Sequence, residues 1–313
     1  MANLFIIGNG FDIAHGLETS YDDFRNYLVK NYNNIKMDEL VIPNEKDLPN
    51  GGIGYNEDEA LSLLFYLING AEDNIDEWKD VEKSLGHLDF DEVFDLIDDV
   101  YDKEGDIHGW HTANNNQQLA SSLIIPTTSI QYYFSEWVED LDVTSVKQLK
   151  NFNSILNEED LFLTFNYTDT LEEIYDIKEE KVCHIHGRKN EEIFFGHGND
   201  LDKTDRHMTK NIGSEDGLNE IQRQLRKKTN MALEGQSEFF EKLEGTFIEK
   251  IYSIGFSFGA VDSVYLCEIC RSVDTENVQW YFNDYKLDPN KKLQYEELLI
   301  ECGFKGEFST FHI

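Results

Sequence analysis

Proline is scarce in this chain, with four residues in 313, so no Pro-rich linker divides it. No internal repeat or low-complexity tract is present either, which excludes a solenoid or a string of small modules. Long apolar runs are missing too. The longest, such as residues 61–68, fall far short of the roughly 20 residues a spanning helix needs, so no membrane contact is expected. The start has no secretory pattern: residues 3–7 read as a short strand and glycines follow at once. The expected location is therefore the cytoplasm. Cysteine is as sparse as proline, also four, and in a reducing compartment all four read as free thiols. Basic residues are outnumbered, 27 against 62 acidic, for a net charge of −35. A field of that sign repels a phosphate backbone, so extended contact with DNA or RNA is not expected. The one basic cluster, Arg223 to Lys228 (RQLRKK), reads as a solvated helix end.

What is present is an alternation of strands and helices. Residues 3–7 (NLFII) form a continuous apolar run, as in a parallel strand covered on both faces. A glycine turn follows. Ser20-Tyr21-Asp22-Asp23 then resembles a capping box ahead of Phe24, Tyr27 and Leu28 at helical spacing. Residues 36–56 read as loop. Residues 57–151 read as a helical insertion, with Leu61, Leu64, Phe65 and Ile68 on one face and Val93, Phe94, Ile97 and Val100 on another. Within it Trp78 and Val81 read as core, and Asp80 and Glu82 as surface or local pairing groups. Strands are expected again at 161–166, 181–186, 193–195, 250–255, 278–282 and 308–312. Helices are expected over 214–244, through Tyr265 and Arg271, and over 290–302. Such alternation predicts a mostly parallel, doubly wound sheet with helices on both faces, in a single α/β domain over 1–313 that carries the 57–151 insertion.

Four motifs carry candidate chemistry, each at the carboxyl end of an expected strand. Gly8-Asn9-Gly10-Phe11-Asp12 lets backbone N–H groups approach a phosphate, or is an ordinary tight turn; Ile13 stands where a dinucleotide fingerprint has its third glycine. In Leu163-Thr164-Phe165-Asn166-Tyr167-Thr168-Asp169, Asn166 projects its amide into the ligand crevice, or the cluster merely caps a helix through Thr168 or Asp169. In His184-Ile185-His186-Gly187, two histidines share a strand face, and His186 suits a general base better than a metal ligand. A metal site would need a third ligand, such as His197 in Phe195-Gly196-His197-Gly198. Gly255-Phe256-Ser257-Phe258-Gly259 with Asp262 closes the same crevice with small residues, or is a turn whose helix Asp262 caps. Cys267 and Cys270 form a lone Cys-x-x-Cys pair in an apolar helix and read as two core thiols, so no structural zinc is expected.

These motifs, in this order, resemble the bacteriophage abortive-infection AbiH family. The resemblance rests on the opening block from Ile6 to Leu17 with Thr19 to Phe24, on Thr164 to Glu172, on His184 to Gly187, on Gly196 to Gly198, and on Ile254 to Asp262. That family is in turn distantly similar to the sirtuin-like NAD-binding Rossmann folds. The resemblance implies that Asn166 organises the nicotinamide–ribose pocket and that His186 is the general base near the ribose. Gly8, Asn9, Gly10, Phe11, Asp12, His15, Thr164, Gly255, Ser257 and Asp262 then line the nucleotide site. Sirtuin deacetylases carry two zinc-binding Cys-x-x-Cys pairs and a Gly-Ala-Gly turn. This chain has neither, so hydrolysis of free NAD or a related nucleotide fits better than deacetylation. The expected function is antiphage defence by an NAD glycohydrolase-like enzyme that answers a phage-derived trigger. A nucleotide-sensing module without turnover is the alternative, and a nuclease fits least. Assembly into a homo-oligomer is left open.

Overall fold

A computed structural model describes residues 2–49, 51–72, 77–97, 101, 103–104 and 108–313; Val100 lies outside them. Eight strands are seen among these residues: β1 (Ala2–Ile7), β2 (Glu45–Asp47), β3 (Ile53–Tyr55), β4 (Leu161–Thr164), β5 (Val182–His184), β6 (Ile248–Ile254), β7 (Gln279–Asn283) and β8 (Glu307–Phe311). Six form one sheet in the order β5-β4-β1-β6-β7-β8, and every neighbouring pair in it is parallel. Counted as the chain visits them, the order is 3-2-1-4-5-6, the doubly wound Rossmann-type arrangement, with the direction of winding reversing between β1 and β6. The crevice outside the carboxyl ends of the strands at that reversal is where folds of this kind take ligands.

The chain divides into two compact units, and the sheet lies in the first: residues 1–20, 138–194 and 228–313. Its core follows directly from the alternation of side chains along β1. Leu4 and Ile6 join one buried cluster with Leu161, Leu163, Ile251 and Trp280. Phe5 and Ile7 join another with Phe11, Phe152, Phe162 and Tyr252. Both faces are thus apolar, as a continuous hydrophobic run requires in a parallel strand. Phe5 stacks against Phe162 on one neighbour and Tyr252 on the other, each at 5.1 Å. Burial of each such side chain stabilises the unit by roughly 1.5–3 kcal/mol.

The second unit, residues 21–137 and 195–227, is mainly helical. Leu61, Leu64, Phe65 and Ile68 are fully buried on one face of the helix Glu57–Ala71. Trp78 and Val81 are core, and Trp78 Nε1 donates to Asn69 Oδ1 at 2.9 Å. Asp80 caps the short helix Val81–Leu85. The helices Gly109–Thr128 and Glu215–Leu225 pack closely because Gly217 stands where a Cβ would meet the Ala120 backbone at 2.7 Å.

Several local expectations are corrected. The loop at 36–56 contains an antiparallel pair, β2 with β3, turning through Gly51 at φ +81°. The helix at Val93 is a single turn, Asp91–Phe94. β4 ends at Thr164 and β5 at His184, because Asn166 N–H bonds back to Thr164 Oγ1 and Gly187 N–H to His184 O. Residues 193–195 form no strand. Phe194 N–H bonds to the His186 carbonyl, whereas His197 makes an isolated bridge with Arg226. The basic cluster is not wholly solvated either: Lys227 is buried, with Nζ 2.7 Å from Glu82 Oε1. Finally, Cys267 and Cys302 form a disulfide. They lie 35 positions apart, and only the packing of the helix Ser263–Ser272 against Pro289–Glu301 brings them together. Cys183 and Cys270 are free and buried, as expected of core thiols.

Candidate functional site

The glycines of the first and fourth motifs meet each other. A Cβ on Gly8 would lie 2.6 Å from Gly255 O, one on Gly10 2.7 Å from Gly255 Cα, and one on Gly255 2.2 Å from Phe11 N. Gly255 also has φ +63°, in the left-handed region that favours glycine. Gly8 N–H donates to Ile254 O and Gly10 N–H to Gly255 O, while Phe11 N–H closes the turn onto Gly8 O. The close approach of two backbones therefore accounts for these glycines, and those three N–H groups are already bonded. Asn9 turns its amide onto Thr19, donating to its carbonyl and accepting from its hydroxyl, both at 2.7 Å. Phe11 is fully buried in the core.

Asp12, on the helix Gly10–His15, is 1% exposed. Its carboxylate accepts from Thr168 Oγ1 at 2.6 Å and Thr170 Oγ1 at 2.9 Å. Burial raises the Asp12 pKa above the ordinary 3.8, against the pull of these hydroxyl hydrogen bonds. Asn166, just past β4, is buried, and its Oδ1 has no hydrogen-bond partner. A buried amide oxygen left unmatched costs about 1–3 kcal/mol, a cost that a ligand donor would relieve. Thr164, also buried, supports Asn166 by accepting its backbone N–H at 3.1 Å.

His186 lies in the turn after β5, with Nε2 3.3 Å from Asp262 Oδ1, both side chains largely buried. Its ring is edge-on to Phe165 at 5.2 Å and Tyr265 at 5.5 Å, which fixes its plane. Asp262 precedes the helix Ser263–Ser272 without a side-chain cap bond. Ser257 is exposed on the turn after β6, in which Phe258 takes φ +54°. A Cβ on Gly259 would find Asp262 Oδ2 at 3.5 Å and Ser257 Oγ at 4.0 Å, so the two polar groups border the same small space.

His184 takes a different partner, Glu172 Oε1 at 2.8 Å. Asp169, Glu172 and His184 bring three ligand atoms within 4.8 Å of one another. The Arg188 guanidinium already stands there, 3.0 Å from Asp169 and 3.7 Å from Glu172, and supplies the positive charge that a cation would bring. Sequence reasoning missed this cluster and the Thr168–Thr170 hydroxyl pair. The signal for the pair was present, since two threonines two apart behind a strand-end Asn could both reach one buried acid.

His15 is tied to a structural network. Its Nδ1 meets Phe11 O and its Nε2 meets Tyr175 Oη, each at 2.7 Å, while Tyr175 Oη accepts Leu149 N–H. A carbonyl only accepts, so Nδ1 carries the proton and Tyr175 donates to Nε2. In the second unit, both ring nitrogens of His197 are engaged: Nε2 donates to Gln222 O and Nδ1 accepts Asn199 N–H. Burial holds its pKa down to about 4. Gly196 and His197 pair with the 225–227 backbone, and a Cβ on Gly196 would lie 2.2 Å from Leu225 O. Burial pushes the Cys270 thiol up to about 12, which leaves it unreactive.

Among the described residues, no helix is long and apolar enough to cross a membrane. No curated protein and no solved structure matches the chain. The family described as bacteriophage abortive infection AbiH matches residues 4–284. That span takes in all four strand-end motifs, so the chain belongs to the AbiH family, whose role is abortive-infection defence against phage.

Proposed function

We propose that the protein acts in this defence by binding NAD or a related nucleotide at the carboxyl edge of the sheet and hydrolysing its nicotinamide–ribose bond. The observation that carries the reading is Asn166: a buried amide oxygen without a partner, at the end of a strand next to β1, inside a fold that takes nucleotides at this edge. The buried His186–Asp262 pair adds a base held in place by a carboxylate. In the reaction the C1′–nitrogen bond breaks and nicotinamide leaves with the bonding electrons. Water then adds to C1′, and its proton passes to His186. Asn166 accepts a hydrogen bond from the ribose or the water.

The test is nicotinamide release from NAD by the pure protein, with melting temperature measured on the same samples. Asn166→Ala and His186→Ala should each abolish release while the fold persists, since loss of a general base costs about 10²–10⁴ in rate. Wild-type release retained in His186→Ala removes it as base. Binding of NAD without release by the wild type, even with phage lysate added, gives the site to a sensing module.

A further inference from the structure

Resting on that reading of the site, the inference concerns the disulfide between Cys267 and Cys302, which stands behind the candidate base. The helix Ser263–Ser272 positions two groups that flank His186. Asp262, at its N-cap, has Oδ1 3.3 Å from His186 Nε2, and the Tyr265 ring lies 5.5 Å from the imidazole. Asp262, Tyr265, Leu266 and Ile269 recur at helical spacing, and all four are buried. Cys267, two positions past Tyr265, falls on the opposite side and is exposed. Its bond to Cys302, the C-cap of the helix Pro289–Glu301, ties the outer face of one helix to the end of the other.

The surroundings of the bridge suit exchange with an outside thiol. Exposed disulfides are the labile kind, and the exposed Cys267 offers a sulfur within reach of an attacking thiolate. Cys302 is half-buried, and its Sγ lies 3.6 Å from Ser263 O, an acceptor ready for the thiol released there. Cys270 completes the Cys-x-x-Cys spacing but is buried, and its thiol, pushed up to about 12, does not compete for Cys267.

We infer that the Cys267–Cys302 bridge is a thiol–disulfide exchange site that regulates the candidate base. Oxidised, it clamps the helix with Asp262 against His186; reduced by a dithiol, it lets that end of the helix loosen. In the exchange a thiolate of the reductant attacks Cys267 Sγ, the S–S bond breaks, and Cys302 leaves as a thiolate and takes up a proton. The second thiol of the reductant, deprotonated, then displaces Cys267 from the mixed disulfide. The protein gains two electrons and two protons, and the dithiol is oxidised to a disulfide.

The experiment uses the whole chain, as wild type and as Cys267→Ser/Cys302→Ser, oxidised with diamide and then reduced with dithiothreitol. Maleimide added in denaturant should label two of the four cysteines of the oxidised wild type, Cys183 and Cys270, and all four after reduction. Amide hydrogen exchange over residues 262–272 should then quicken roughly tenfold or more, because the bridge no longer restricts local opening. On reduction kcat for nicotinamide release should fall roughly tenfold or more with KM changed much less, since a displaced base loses its geometry and not its ligand. Re-oxidation should restore both in the wild type, while the double variant stays at the reduced values throughout.

Four labelled cysteines before reduction, or a double variant that still responds to the reductant, overturns the inference. So does a reduced wild type whose exchange or kcat stays within twofold of the oxidised protein, or whose kcat rises. If the oxidised wild type releases no nicotinamide, the hydrolase reading falls alone. Hydrogen exchange at the Asp262 end of the helix then still decides on the clamp.

Discussion

Each unit holds a carboxylate largely out of water, and the two are treated in opposite ways. In the helical unit, Glu82 faces Lys227 at 2.7 Å, takes Gly196 N–H at 3.3 Å, and the lysine side chain is completely buried. In the sheet unit, Asp12 is as deeply buried but is bonded by two hydroxyls. A matched ion pair is charge-neutral and closed: it holds helices together and has nothing left to offer. Hydroxyls bring no opposite charge and are themselves oriented by the carboxyl group they bind. Glu82 is thus a packing element, and Asp12 fixes the two threonine hydroxyls behind the strand end.

The sharpest way to break the comparison is to remove one member of the closed pair. Lys227→Ala strands a carboxylate that is only 13% exposed and should cost up to about 3–5 kcal/mol, measured by urea unfolding. A loss below about 1 kcal/mol would mean that Glu82 reaches water in the folded state. Gly255→Ala follows. The left-handed backbone alone costs roughly 1–2 kcal/mol, and a Cβ 2.2 Å from Phe11 N adds to it. An unchanged melt would show that the two turns are not in contact.

Asp12→Asn tests the other side of the comparison. A carboxyl whose folded pKa is raised binds its proton more tightly in the folded state. Its stabilising contribution is present below the ordinary 3.8 and is lost as pH rises through the raised value. Asp12→Asn has no titrating group there, so it should gain on the wild type as pH rises, with the gap between the two narrowing toward pH 4. A variant several degrees less stable at pH 7 would make Asp12 a packing group like Glu82. The smallest effect belongs to His197. Its pKa is lowered from 6.5 to about 4, so the stability it contributes is present above 6.5 and declines as pH falls toward 4. Melting temperature followed over that range should fall less steeply in His197→Gln; identical slopes would place the acid sensitivity elsewhere.

The fold was legible because the parallel sheet writes itself as continuous apolar runs. The expected strands 3–7, 161–166, 181–186 and 250–255 overlap β1, β4, β5 and β6, which lie side by side. Places where polar bonding cuts a strand short were not legible. Thr164 Oγ1 catching the Asn166 N–H is a side-chain event that no periodicity records. The candidate residues Asn166, His186, Asp12 and Asp262 could be named from their strand-end positions, but their pairings could not. Partners such as His186 with Asp262 are 76 positions apart, and the pairing of His184 with Glu172 is a matter of which turn folds back on which. The disulfide was missed for the same reason, compounded by an assumption about the surrounding redox state.

The meeting of Gly8 and Gly10 with Gly255 has a mechanical side. With no side chain between them and two backbone hydrogen bonds across the seam, the turns after β1 and β6 form one stiff rim. A ligand leaning on either turn pushes on both, because neither can bend without breaking bonds to the other. Any opening of this edge therefore falls to the parts of the rim outside that seam: the 166–170 segment, the turn that carries His186, and the stretch around the exposed Ser257.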